Sequence, residues 1–255
     1  MIIGLDTETA KRIIKKLKGG TCPFDCVEFL NVGNERWYEA AAELFDDIKS
    51  DNDSIVRLIN GYYGDGKTHF LGMLSCIAQR KNWLVSYVTA EKTPLNKFDQ
   101  VYSEVVKNLT LPINLKVLPW LSSQDNYGAR ALLYALFSKI YIESNRPGDK
   151  EGLKKQRVLD TLRFKTNEFA VSHGIDEIMG SAIRGFTECI INSDFNQIQQ
   201  IVSWFEGGIN KVPEIGITRR IDQKFARDAM RSISIIAKQS GASGILILLD
   251  EAERI

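Results

Sequence analysis

The 255-residue chain is 44% apolar and 25% charged, the balance of a globular protein rather than a disordered or collagen-like one. Its formal net charge is +1, so it lacks the overall basic excess of a nucleic-acid coat protein, and only a local basic surface stays open. No apolar run has membrane-spanning length, the N-terminus lacks signal-peptide order, and four scattered cysteines make no secreted disulfide framework; a cytoplasmic protein is expected.

Thr7 to Lys18 reads as an amphipathic helix with Ala10, Ile13, Ile14 and Leu17 on one face, ended by Gly19-Gly20. After an irregular stretch around Pro23, a second helix is expected from about Asn34 to Lys49. Asp51-Asn52-Asp53 is a turn, and Ser54 to Asn60 (SIVRLIN) reads as a strand. The next eight residues, Gly61-Tyr62-Tyr63-Gly64-Asp65-Gly66-Lys67-Thr68, match G-x-x-x-x-G-K-[ST] at every fixed position, the Walker A pattern.

That pattern has a physical reason. A phosphate chain needs many donors at close range, and backbone amides can supply them only where side chains do not intrude. Glycines at 61, 64 and 66 meet that need, and a helix beginning near Lys67 adds free amides and its dipole. Lys67 is expected to reach the β- and γ-phosphates and the Thr68 hydroxyl to sit on Mg²⁺. The implied ligand is a nucleoside triphosphate, ATP with Mg²⁺. Asp65 is a departure, because a carboxylate in a phosphate cradle costs affinity unless it turns to solvent. His69 belongs to the same loop-to-helix junction and reads as a packing residue.

Helix is expected over Lys67 to Arg80, strand over Trp83 to Thr89, and helix again over Asn96 to Leu109. From Leu111 to Thr218 the pattern is helical throughout, with breaks at Pro112, Pro119, Pro147-Gly148 and Gly207-Gly208 and no convincing strand. Trp204-Phe205, before the last of these, reads as a core anchor. A long helix is expected from Arg219 to Gln239, turned by Gly241–Gly244 into the strand Ile245 to Leu249.

That strand runs into Asp250-Glu251, a Walker B-like ending. A buried parallel strand closed by an acidic pair suits a magnesium and water site: Asp250 as a metal-side carboxylate, Glu251 as the general base. Lys67 and Glu251 are thus the candidate catalytic pair, and Thr68 and Asp250 the candidate metal ligands.

Other features read more simply. Cys22, Cys26, His69 and His173 show no metal-ligand spacing. Lys11, Arg12, Lys15, Lys16 and Lys18, and later Arg219, Arg220, Arg227 and Arg231, read first as solvated helix faces and second as DNA contacts.

Six segments together resemble the ATP-binding proteins of BREX-type phage-defence systems, BrxD-like proteins with a P-loop domain. They are IIKKLKGGTCP, FLNVGNERW, GYYGDGKTHFL, TPLNKFDQVYSEVVKNL, Trp204-Phe205-Glu206-Gly207 and GASGILILLDEAERI, spread along nearly the whole chain. The resemblance implies an AAA+-like ATPase working with other phage-defence proteins, with DNA as a candidate partner and self-association expected. By the same analogy, Val32-Gly33 lie near the adenine.

The expected fold is α/β: a P-loop NTPase of the AAA+/ASCE kind, with a parallel sheet flanked by helices, an all-α insertion and a truncated C-terminus. Residues 1–50 are then a helical segment and linker, 51–110 the phosphate-loop part of the core, 111–218 the helical insertion, and 219–255 the return helix and acidic strand. In the AAA+ arrangement a further strand follows the Asp250-Glu251 strand and inserts beside the phosphate-loop strand. Only Ala252, Glu253, Arg254 and Ile255 follow here, so weak turnover and open strand edges are expected. Two other readings stand beside a motor or switch: an ATP-sensing scaffold with negligible turnover, and a small-molecule kinase, which normally carries its phosphate loop at the extreme N-terminus.

Overall fold

The computed structural model describes residues 6–91, 93–121, 127–144, 151–172 and 174–252. The break at Pro147-Gly148, His173 and the tail Glu253–Ile255 lie outside them. The chain divides into two compact units, Met1–Lys81 and Asn82–Ile255.

The first unit holds α1 (Thr7–Lys18), a 3₁₀ stretch (Phe24–Leu30), α2 (Glu35–Asp51) and α3 (Lys67–Arg80). Asp6 starts α1 by accepting from the backbone N–H groups of Glu8 and Thr9 at 3.0 and 2.8 Å, a side-chain cap for two otherwise unpaired donors. Of the apolar face expected on α1, Ile13 is buried, whereas Ile14 and Leu17 stand exposed. Asn34 and Asn52, both in the left-handed region, bracket α2. The core joins Val27, Tyr38 and Met73, with the Tyr38 and Phe70 rings stacked 5.6 Å apart. Gly72 lets α3 approach this core: a Cβ there would lie 2.8 Å from a Val27 methyl.

One expected element is absent. Ser54–Asn60 is not a strand but an irregular, exposed segment, with Val56 at 86% and Leu58 at 94% exposure. Alternating apolar residues make a strand only when a neighbour satisfies their backbone groups, and no described strand pairs with this segment.

The second unit is built around β1 (Leu84–Thr89), α4 (Phe98–Lys107), a two-residue β2 (Leu109–Thr110) and β3 (Ile245–Asp250). Between β2 and β3 come α5 (Gly128–Ser144), α6 (Glu151–Ser172), α7 (Glu177–Asn192), α8 (Phe195–Phe205) and α9 (Ala226–Gln239). The sheet order is β2-β1-β3, so the sheet is small and mixed rather than purely parallel. β1 and β3 run parallel, in register from Leu84 opposite Ile245 to Thr89 opposite Asp250, and β2 lies antiparallel to β1. β3 is therefore an edge strand among the described residues, and Ile247 and Leu249 are partly exposed along it.

α5 is apolar nearly all round, the pattern of a helix buried on every side, and it forms the centre of the helical layer. Trp204, Phe205, Phe225, Phe186 and Met179 are fully buried in the same core. The Trp204-Phe205-Glu206-Gly207 segment ties several elements together. The Trp204 indole N–H donates to the Arg219 carbonyl at 2.8 Å, Ser103 on α4 donates to the Glu206 carbonyl at 2.6 Å, and the Glu206 carboxylate accepts from the Ala129 N–H at the start of α5. Burial holds the Glu206 carboxyl above the ordinary glutamate range.

α9 begins at Ala226, seven residues later than expected. The Asp222 carboxylate accepts from the N–H groups of Lys224 and Phe225 at 3.1 and 3.0 Å, so residues before Ala226 close as a side-chain-capped turn instead of a helix.

The register of β3 against β1 depends on Gly244. Its carbonyl accepts from the Leu84 N–H at 2.9 Å, and a Cβ at this position would collide with the buried Trp83 indole. Gly244→Ala should therefore destabilise the protein by about 1–3 kcal/mol, the usual cost of overpacking. A lowered urea midpoint checks this, and an unchanged midpoint contradicts the close approach.

Candidate phosphate-binding site

Residues 61–68 make a turn opening directly into α3. Gly64 and Gly66 have φ of +91° and +84°, values that a side chain strains to adopt, and nothing lies within 4 Å of where their Cβ atoms would be. These two glycines are required by backbone conformation rather than crowding. Gly66 caps α3 without any side-chain acceptor. A helix start capped by glycine rather than by a side-chain oxygen is a setting that suits an anion. Tyr62 and Tyr63 are exposed and contribute backbone to the loop.

Lys67 folds back across the loop. Its Nζ donates to the carbonyls of Gly61 and Tyr62 at 2.9 and 3.1 Å, so the ammonium lies over the loop it is expected to serve. Thr68 and His69 follow, half-buried, on the first turn of α3. Asp65 is exposed but does not simply turn to solvent. Its carboxylate accepts from the Tyr62 N–H at 2.6 Å, holding one of the loop amides itself. An anion entering the loop competes with Asp65 for that donor.

Val32 is 91% exposed, and Gly33, with φ of +79°, precedes the left-handed Asn34 that opens α2. Among the described residues no hydrogen bond joins Val32 or Gly33 to the loop.

The acidic pair stands at the C-terminal end of β3, in the second unit. Asp250 is buried, at 6% exposure. The Tyr87 hydroxyl donates to Asp250 Oδ2 at 2.7 Å, and the Glu251 N–H donates to Oδ1 at 2.9 Å. Glu251 itself is left-handed, with φ of +59°, an uncommon conformation for a non-glycine residue at the end of a strand. Tyr87 is the residue that sequence reading misses. Its role comes from the parallel register of β1 and β3, which places it diagonally beside Asp250, and nothing local in WLVSYVT marks it.

The donors present suit the expected groups. Open glycine amides and a lysine fit polyphosphate, and the Thr68 hydroxyl and Asp250 carboxylate are hard oxygen donors of the kind Mg²⁺ takes. Burial pushes the Cys189 thiol up to about 11, so it is no thiolate nucleophile near neutral pH.

An α/β architecture with such a loop is that of a candidate nucleotide-binding protein. The chain belongs to the BREX system ATP-binding protein BrxC/D family, whose profile it matches over residues 5–255, nearly its whole length. No curated protein and no solved structure matches it. Among the described residues no helix is long and apolar enough to cross a membrane.

Proposed function

We propose that this chain is an ATP hydrolase of the P-loop, AAA+-like kind that serves a phage-defence system as a motor or switch. The observation carrying this reading is the Gly61–Thr68 loop: two left-handed glycines, a lysine folded over the loop, and an α-helix beginning without a side-chain cap. In this reading the backbone of Gly61 to Thr68 and the Lys67 ammonium bind the phosphates, and Val32-Gly33 flank the base. Thr68 and Asp250 hold Mg²⁺, which supplies charge neutralisation at the phosphates when bound. Tyr87 fixes the Asp250 carboxylate, and Glu251 accepts the proton of the attacking water. The helical segment 111–218 is read as the receiver of a partner protein or of DNA. The open edge of β3 and the unpaired Ser54–Asn60 segment support association through strand pairing.

A second reading, an ATP-sensing scaffold with negligible turnover, is favoured by one observation. Ser54–Asn60 is unpaired, so the loop does not hang from a rigid strand, and phosphoryl transfer depends on preorganised positioning.

Thr68→Ala tests the metal part of the proposal. Wild-type protein should bind ATP more tightly with Mg²⁺ than in EDTA. The variant should lose on the order of tenfold of that difference while keeping its metal-free affinity, since one oxygen ligand is removed. A magnesium effect of unchanged size in calorimetry contradicts the role of Thr68.

A further inference from the structure

The exposed side of α9 carries a row of positive charge that neither the phosphate loop nor the acidic pair uses. Residues 219–238 contain six basic side chains and two acidic ones, a local excess of four in a chain whose whole excess is one. The helix buries Ala226, Ala229, Ile233, Ile236 and Ala237 on one side. On the other side Arg227, Arg231 and Lys238 are exposed, at helical spacings of four and seven, and Lys224 extends the same row just before the helix.

Few described carboxylates offset the first part of this row. Arg219 lies 3.8 Å from Asp176 and over the Phe225 ring, so it is partly engaged. Arg219 and Arg220 also attract the Asp222 carboxylate, which accepts from the backbone of the turn before α9. Lys224, Arg227 and Arg231 form no ion pair with any described residue, and Asp228 stands exposed beside them. Long exposed cations along one side of a helix repel one another, an arrangement that a polyanion relieves.

We propose that this face of α9 is a docking surface for the phosphate backbone of duplex DNA. From Lys224 to Lys238 the row is about 21 Å long, matching about six base-pair steps of a duplex. No exposed aromatic residue interrupts it, so it offers no platform for stacking the bases of a single strand. It presents point charges on a convex helix, which contacts phosphates and reads no sequence. The surface is also placed to matter. Met230, in the first half of α9, packs against the cluster of Val88, Val101 and Val105, and Val88 pairs with Leu249, the residue before Asp250. The helix leads through Gly241–Gly244 into β3, the strand that ends in the acidic pair.

This inference names the partner of the ATPase reading and rests on it for its biological meaning, but its test does not depend on nucleotide. Binding of a fluorescent 20-base-pair duplex is measured by anisotropy across a salt series, beside the matching single strand. Four phosphates neutralised predict a log–log salt slope of about −3.6, or about a 100-fold loss of affinity between 50 and 200 mM salt. In R227Q/R231Q, with helicity checked by circular dichroism and Mg·ATP affinity measured alongside, the slope should shrink by about 2. Wild-type protein that does not bind the duplex at 50 mM salt, that prefers the single strand, or whose slope survives the double substitution overturns the proposal. If neither protein binds nucleotide, it is the ATPase reading that fails, and the salt slope still decides this one.

Discussion

Glu251→Gln is expected to leave Mg·ATP affinity within about twofold of wild type and to lower ATP turnover by at least about 100-fold, the usual contribution of a positioned general base. The glutamine is nearly the same size, so it leaves the site filled and removes only the ability to take a proton. Glu251 stands directly after Asp250, half-buried and with a left-handed backbone. Asp250 is a poorer candidate for the base, because both of its oxygens already accept hydrogen bonds, from the Tyr87 hydroxyl and the Glu251 N–H. Steady-state phosphate release, with affinity measured separately, distinguishes the outcomes. Turnover that survives the substitution assigns the base elsewhere. Wild-type protein that binds ATP and shows no turnover selects the sensing scaffold.

The parts legible in the sequence are those set by short-range spacing. The glycine pattern at 61, 64 and 66 states a backbone requirement, and two of these glycines do sit at positive φ. The aliphatic run Ile245 to Leu249 and the run Trp83 to Thr89 become the two parallel strands, the inner β1 largely buried and the edge β3 with Leu248 buried and Ile247 and Leu249 partly exposed. Trp204 and Phe205 are core anchors, fully buried as their size and position before paired glycines suggest.

What was not legible depends on partners distant in the chain. Ser54–Asn60 has a strand's composition, but strand formation needs a hydrogen-bonding neighbour, and composition does not supply one. The Tyr87–Asp250 hydrogen bond joins residues 163 apart and follows from register alone. α9 starts later than its apolar periodicity suggests because the Asp222 side chain caps a turn, a local competition that periodicity does not register. Asp65 departs from the phosphate-loop pattern, and its bond to the Tyr62 amide, which joins two positions inside the loop, is not marked by the pattern itself.

The proposed nucleotide site depends most heavily on Lys67. Its ammonium now bonds to two carbonyls of its own loop, contacts that a bound polyphosphate would replace with hydrogen bonds to an oppositely charged acceptor. Truncating it removes the one positive side chain of the Gly61–Thr68 loop while leaving Gly64, Gly66 and the start of α3 in place. Such a contact is worth about 1.5–3 kcal/mol, so Lys67→Ala should weaken binding roughly tenfold or more. Calorimetric titration of Mg·ATP into wild-type protein and the variant, both shown folded by circular dichroism, is the most direct test. Binding by the wild type and a loss of roughly tenfold or more in the variant is the expected result; equal affinities would place the nucleotide, if any, outside the Gly61–Thr68 loop.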